Sequence, residues 1–192
     1  MKLYRISENL DKQMRAWYEK RTNAHIDRVQ KYCKKIAEFD DKYNELIERG
    51  KVHDQSKFED PEIDPYIYIT WKYKCKDDGM DFQECNPPDD IEDQMFNATM
   101  HHIKNNRHHP EFHAEEAHLN KNDRDRPPDE KVDATKMKDI DIGEMVCDWC
   151  AVSDEKGGTP ADWAKKNINV RWTFTDEQEA LIYELIDAVW DN

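Results

Sequence analysis

The stretch from Asn23 to Ala37, NAHIDRVQKYCKKIA, decides the fold class. Its apolar residues Ile26, Val29, Cys33, Ile36 and Ala37 recur at three- and four-residue spacing, the period of one face of an α-helix. The same period returns on both sides of it. A helix is expected before it from about Ser7, with Met14, Trp17 and Tyr18 on one face, and the stripe itself continues through Leu46 and Ile47 to Gly50, a C-terminal stop. A third helix, about Glu62 to Lys74, carries Tyr66, Tyr68, Trp71 and Tyr73, and KDDGMDFQECNPPDD then reads as a loop before Asp90 caps the next helix. That helix presents Met95, Ala98, Thr99 and His102 on one side. Another, about Thr135 to Ser153, holds Ile142, Met145, Val146, Trp149 and Val152 and is closed by Gly157-Gly158. Thr159-Pro160-Ala161-Asp162 opens a short helix, and Thr175 with Gln178 forms a capping box at the head of the last one, whose stripe is Leu181, Ile182, Leu185, Ile186 and Val189. With only 5 glycines and few alternating runs, the expectation is an all-α helical bundle.

The chain has 192 residues, the length of one domain, with 29 Lys and Arg against 43 Asp and Glu and a net charge of -14. That field disfavours duplex nucleic acid and anionic membranes. Leu, Ile, Val and Phe make up about 17% of the residues, below the ~20% at which high charge points to disorder. The 6 Trp, 8 Tyr and 7 Met answer that warning by supplying large core side chains at helical spacing. No apolar run reaches the ~18 residues of a membrane span, and MKLYRISENL lacks the apolar stretch of a signal peptide, so a cytoplasmic protein is expected. Five cysteines, an odd number, argue for reduced thiols, and Cys147-x-x-Cys150 in mid-helix reads as core packing. The polar excursion 114–130 reads as a surface loop, a lid or a partly ordered segment. The last helix, about 175–190, either packs on the bundle or forms a homodimer contact.

Eight histidines carry the chemistry. Five lie within thirteen residues, His101, His102, His108, His109 and His113, and His53 is followed directly by Asp54. Imidazoles mixed with carboxylates suit Mn, Fe, Co, Ni or Zn, and no close Cys/His tetrad suggests a zinc finger. If the helix persists, His109 lies two turns beyond His102 on the same face, with His101 and His108 as the neighbouring, more polar pair. Asp148 has Glu144, Met145, Ala151 and Val152 as its helical neighbours, so much of its surroundings is apolar, and a buried carboxylate must be paired or bind metal. His25, two turns before Tyr32, sits on or beside the apolar stripe of its helix. The ordered set is His25, His53-Asp54, His102, His109, Asp148.

That order on an all-helical chain resembles the HD-domain superfamily of metal-dependent phosphohydrolases over residues 20 to 155. HDQSK, HHIKNNRHHPE and EMVCDWCA are similar to small HD-type proteins of phages and bacteria. The resemblance implies an HD-like bundle with one or two divalent transition-metal ions, or Mg, held by His25, His53, Asp54 and Asp148, with His102 and His109 at the positions of a second ion. Lys57, three residues after Asp54, falls where many HD phosphohydrolases carry a phosphate-binding lysine. Lys104 and Arg107 would stabilise the transferring phosphoryl group, with His101 and His108 facing substrate, and Asp54 and Lys57 would be catalytic. The implied substrate is a nucleoside mono- or triphosphate, or else a cyclic or oligonucleotide. The same ligand order suits a di-iron oxygenase such as myo-inositol oxygenase. A metal-stabilised interaction module without turnover is the non-enzymatic reading.

Overall fold

A computed structural model describes residues 2–123 and 126–190, so two positions of the 114–130 excursion lie outside the described residues. Among the described residues there are eight α-helices: α1 (Lys2–Phe39), α2 (Glu45–Val52), α3 (Ile63–Asp78), α4 (Ile91–Asn105), α5 (Pro110–His113), α6 (Asp139–Lys156), α7 (Pro160–Asn167) and α8 (Asp176–Val189). The protein is an all-α helical bundle. Among the described residues no helix is long and apolar enough to cross a membrane. Among the described residues one two-stranded sheet pairs β1 (Val132–Asp133) with β2 (Trp172–Thr173) in parallel, Val132 opposite Trp172.

Two expected helices before Asp40 are one, because nothing between Tyr18 and Asn23 breaks the backbone ladder. The stripe does not run unbroken to Gly50. Asp40 leaves the helix with extended backbone, and its carboxylate accepts from the Lys42 amide to start a short turn of 3-10 helix over Asp41–Tyr43. Gly50 is no stop either, since α2 continues to Val52. It serves close packing, because a Cβ there would meet Cys33 Sγ at 3.1 Å. The helix expected from Thr135 starts at Asp139, its first residues being held back by the β1 pairing and by Gln178, whose amide donates to the carbonyls of Thr135 and Met137.

The described chain divides into two compact units. The first takes α1 up to Ala24 together with Gln55–His102, and its core gathers Met14, Tyr18, Tyr66, Ile67, Trp71, Ile91 and Met95. α3 ends there as the sequence suggests, with Gly79 left-handed at φ 68° and its amide turned back to the last carbonyls. The second takes His25–Asp54 and the chain from Ile103 onward. Its core is larger and is centred on α6, of which Ile142, Met145, Val146, Cys147, Cys150 and Ala151 are buried. α8 buries Ile182, Leu185, Ile186 and Val189 in that same core, capped by Thr175 and Gln178 in the expected box. All five cysteines are free, and burial pushes the Cys150 thiol up to about 12, so Cys147 and Cys150 act as core side chains.

Candidate metal centre

Four segments of the second unit converge on one point. α1 brings His25, the end of α2 is followed directly by His53 and Asp54, the turn between α4 and α5 brings His108, and α6 brings Asp148. Asp54 adopts left-handed backbone at φ 58°, a conformation that Asp tolerates better than most residues and that turns its carboxylate back beside His53. The distances are short. His25 Nε2 lies 3.0 Å from Asp148 Oδ1 and 3.6 Å from Asp54 Oδ2. His53 Nε2 lies 3.7 Å from Asp54 Oδ1 and 3.9 Å from Asp148 Oδ1, and His108 Nε2 lies 3.7 Å from Asp54 Oδ1.

The 3.0 and 3.6 Å separations match donors around one cation, and those of 3.7–3.9 Å lie just above that spacing. Metal bonds of about 2.0–2.2 Å to nitrogen and oxygen place neighbouring donors roughly 3–3.6 Å apart in tetrahedral or octahedral arrangements. The Nε2 of His53 is buried and has no hydrogen-bond partner. An imidazole nitrogen in that condition costs stability unless a ligand meets its lone pair. The buried His/carboxylate cluster could therefore hold a metal ion, and His25, His53 and Asp148 present donor atoms all within 4.8 Å of one another.

A further carboxylate orients this set. Glu144 stands four residues before Asp148, on the same face of α6. Its Oε1 lies 2.9 Å from His53 Nδ1 and 3.4 Å from His108 Nδ1, while its Oε2 accepts from Arg49 Nε at 2.8 Å and Nη2 at 2.7 Å. Burial alone would raise the Glu144 carboxyl, but the hydrogen bonds and charges of His108 and His53 outweigh it and hold the group well below the usual carboxylate range. Asp148 is held low in the same way, burial being overcome by His25, His53 and His108. Arg49 also donates to Asp141 at 2.7 Å, and Arg107 grips Asp141 with two bonds of 3.1 Å. Asp141, Glu144 and Asp148 thus form one acidic edge on a helix whose middle is otherwise sunk in the core.

The other expected residues lie as follows. His109 does not continue the face of His102, because α4 stops at Asn105 and His109 has extended backbone before Pro110, where proline disfavours the helical region. The His109 ring lies 4.2 Å from that of His108. His102 belongs to the first unit, where its Nδ1 donates to Glu62 at 2.9 Å, and His101 Nδ1 donates to the other oxygen of Glu62 at 2.7 Å. Ser56 donates to Glu62 at 2.9 Å, so this fully buried carboxylate is met from three sides. Lys57, also in the first unit, holds its ammonium 5.2 Å from the Tyr66 ring centre, and Lys104 is exposed near the end of α4. Asp141 and Arg49 had no place in the sequence reading, Glu62 entered it only as a helix start, and Glu144 only as a helical neighbour of Asp148. Glu144 carried a signal, its four-residue spacing from Asp148 in an apolar helix, whereas Arg49 and Glu62 carried none.

An all-α chain with a buried cluster of imidazoles and carboxylates is the class of protein that fold and site define. Within that class the chain belongs to a family of unknown function, DUF5662, whose profile matches residues 14–188. Comparison with curated proteins and with solved structures finds no match.

Proposed function

We propose that this protein is a metal-dependent phosphohydrolase of the HD type that acts on a nucleotide, a nucleoside mono- or triphosphate. The observation that supports it is the convergence of His25, His53, Asp54 and Asp148, from three separate stretches of chain, into one cluster with metal-ligand spacing. These are the four residues that the resemblance to HD proteins singles out by order. Their mixed nitrogen and oxygen character suits Mn, Fe, Co, Ni or Zn. A divalent ion bound there would polarise phosphoryl oxygens and bring the pKa of a water toward neutrality.

The chain's own groups do the rest. Asp54 turns Oδ2 toward His25 and Oδ1 toward His53 and His108, so its two oxygens face different imidazoles, the disposition that lets one carboxylate serve one ion or two. Arg107, half-exposed and fixed by Asp141, and the exposed Lys104 supply positive charge for a phosphoryl group in the unit that holds the cluster. Lys57 and His101 are assigned to substrate, and His102 and His109 to a second ion, on the resemblance alone.

The test is elemental analysis of the purified protein beside His53→Ala and Asp148→Ala, followed by phosphate release from nucleotides with Mn²⁺, Co²⁺ or Mg²⁺. Stoichiometric metal that both substitutions abolish, together with phosphate release that falls at least about 100-fold, is the expected result. Metal without phosphate release would overturn the hydrolase reading in favour of oxygen chemistry or a metal-stabilised binding module.

A further inference from the structure

Glu144 makes contacts that its burial alone does not require. One of its oxygens faces the Nδ1 atoms of two imidazoles, and the other is held by two nitrogens of one guanidinium. A neutral imidazole carries one ring proton, and a carboxylate accepts but does not donate. The proton of each ring is therefore drawn to Nδ1, and the lone pair is left on Nε2, the atom that in both rings lies beside Asp54. Arg49 holds the second oxygen of Glu144 and so fixes the orientation of the carboxylate, and Arg49 is itself braced by Asp141.

We infer that Glu144, clamped by Arg49, is a positioning residue that locks His53 and His108 in the Nδ1–H tautomer and so sets both Nε2 lone pairs for metal binding. This rests on the metal-centre reading of the preceding section. An isosteric amide separates positioning from packing. In Glu144→Gln the single carbonyl oxygen is claimed by the permanently charged Arg49, and the NH2 group then faces the imidazoles. It donates to Nδ1, moves the ring proton to Nε2 and blocks the ligand atom. A residue needed only for shape would tolerate that change.

The probe is Co²⁺ alone, its affinity measured by competition with a chelator and its site read from the visible d–d spectrum. Wild type is expected to bind Co²⁺, and Glu144→Gln, with helical content and apo melting temperature retained, to bind it about 10- to 100-fold more weakly with an altered spectrum. Equal affinity and an unchanged spectrum in Glu144→Gln would overturn the inference while leaving the metal centre standing. Absence of Co²⁺ binding in wild type would overturn both. A second measurement needs no variant: nitrogen-15 spectra of the metal-free wild type, at a pH where the rings are neutral, report the tautomer directly. His53 and His108 are expected with bare Nε2, and a proton on Nε2 in either ring would overturn the inference.

Discussion

Asp54 joins backbone and chemistry in one residue. Its left-handed φ of 58° costs most L-residues energy, about 1–2 kcal/mol, and β-branched ones most of all. Asn shares Asp's tolerance of that region, so Asp54→Asn should fold and lose metal, whereas Asp54→Val should lose metal and be less stable than the Asn variant by about 1–2 kcal/mol. Denaturant midpoints of the two metal-free variants measure the difference, and equal midpoints would contradict a backbone cost. Glu62 makes a second residue-scale argument. Burial would raise its carboxyl, but hydrogen bonding and charge from His102, with His101 and Ser56, hold it below the ordinary range. A folded-state value below the unfolded one gives stability that is complete above the unfolded value of about 4.3 and is lost as pH falls through the folded one. Glu62→Gln should therefore flatten the loss of stability between pH 7 and pH 3, read from denaturant melts; a loss as steep as in wild type would contradict it.

α6 shows how one element serves two demands. One face carries Asp141, Glu144 and Asp148 at helical spacing, and the remainder is packed so closely that Gly143 faces α2 and the 3-10 turn before it, where a Cβ would come within 3.0 Å of Leu46 Cδ1 and 3.5 Å of Tyr43. Gly143→Val forces those buried side chains apart and adds χ1 restriction in mid-helix, so a loss of about 1–3 kcal/mol is expected by chemical denaturation. Unchanged stability would mean that the α2–α6 contact yields more easily than its spacing suggests. α4 and α5 show the reverse, that an element's end can matter more than its body. Because α4 stops at Asn105, His108 reaches the cluster from a turn, and Pro110 fixes the extended approach of His109.

At the scale of the whole molecule, His25, His53, Asp54, His108, Asp148, Glu144 and Arg49 all belong to the second unit, beside the larger core. Metal bound only by the folded state stabilises it by about 2.7 kcal/mol when present at 100 times its dissociation constant. Chelation should therefore lower the melting temperature, and hydrogen exchange should rise first in α2, α6 and the 106–113 segment. Exchange that rises equally in α3 would contradict a centre confined to the second unit.

The sequence by itself determined the helical class, the caps at Thr159 and Thr175, and the histidines and carboxylates worth watching, because periodicity and capping are local properties of the chain. His25, His53, Asp54 and Asp148 were legible from their order and from the cost of burying an unpaired carboxylate. Only the tertiary structure decided between the members of the His108-His109 pair at this cluster, since a one-residue register in a turn depends on where α4 ends and what Pro110 forbids. It alone found Arg49 and Glu62 and assigned Glu144 its role. Their partners lie 95, 40 and 91 residues away in the chain, and a hydrogen bond across that distance leaves no periodic trace in sequence.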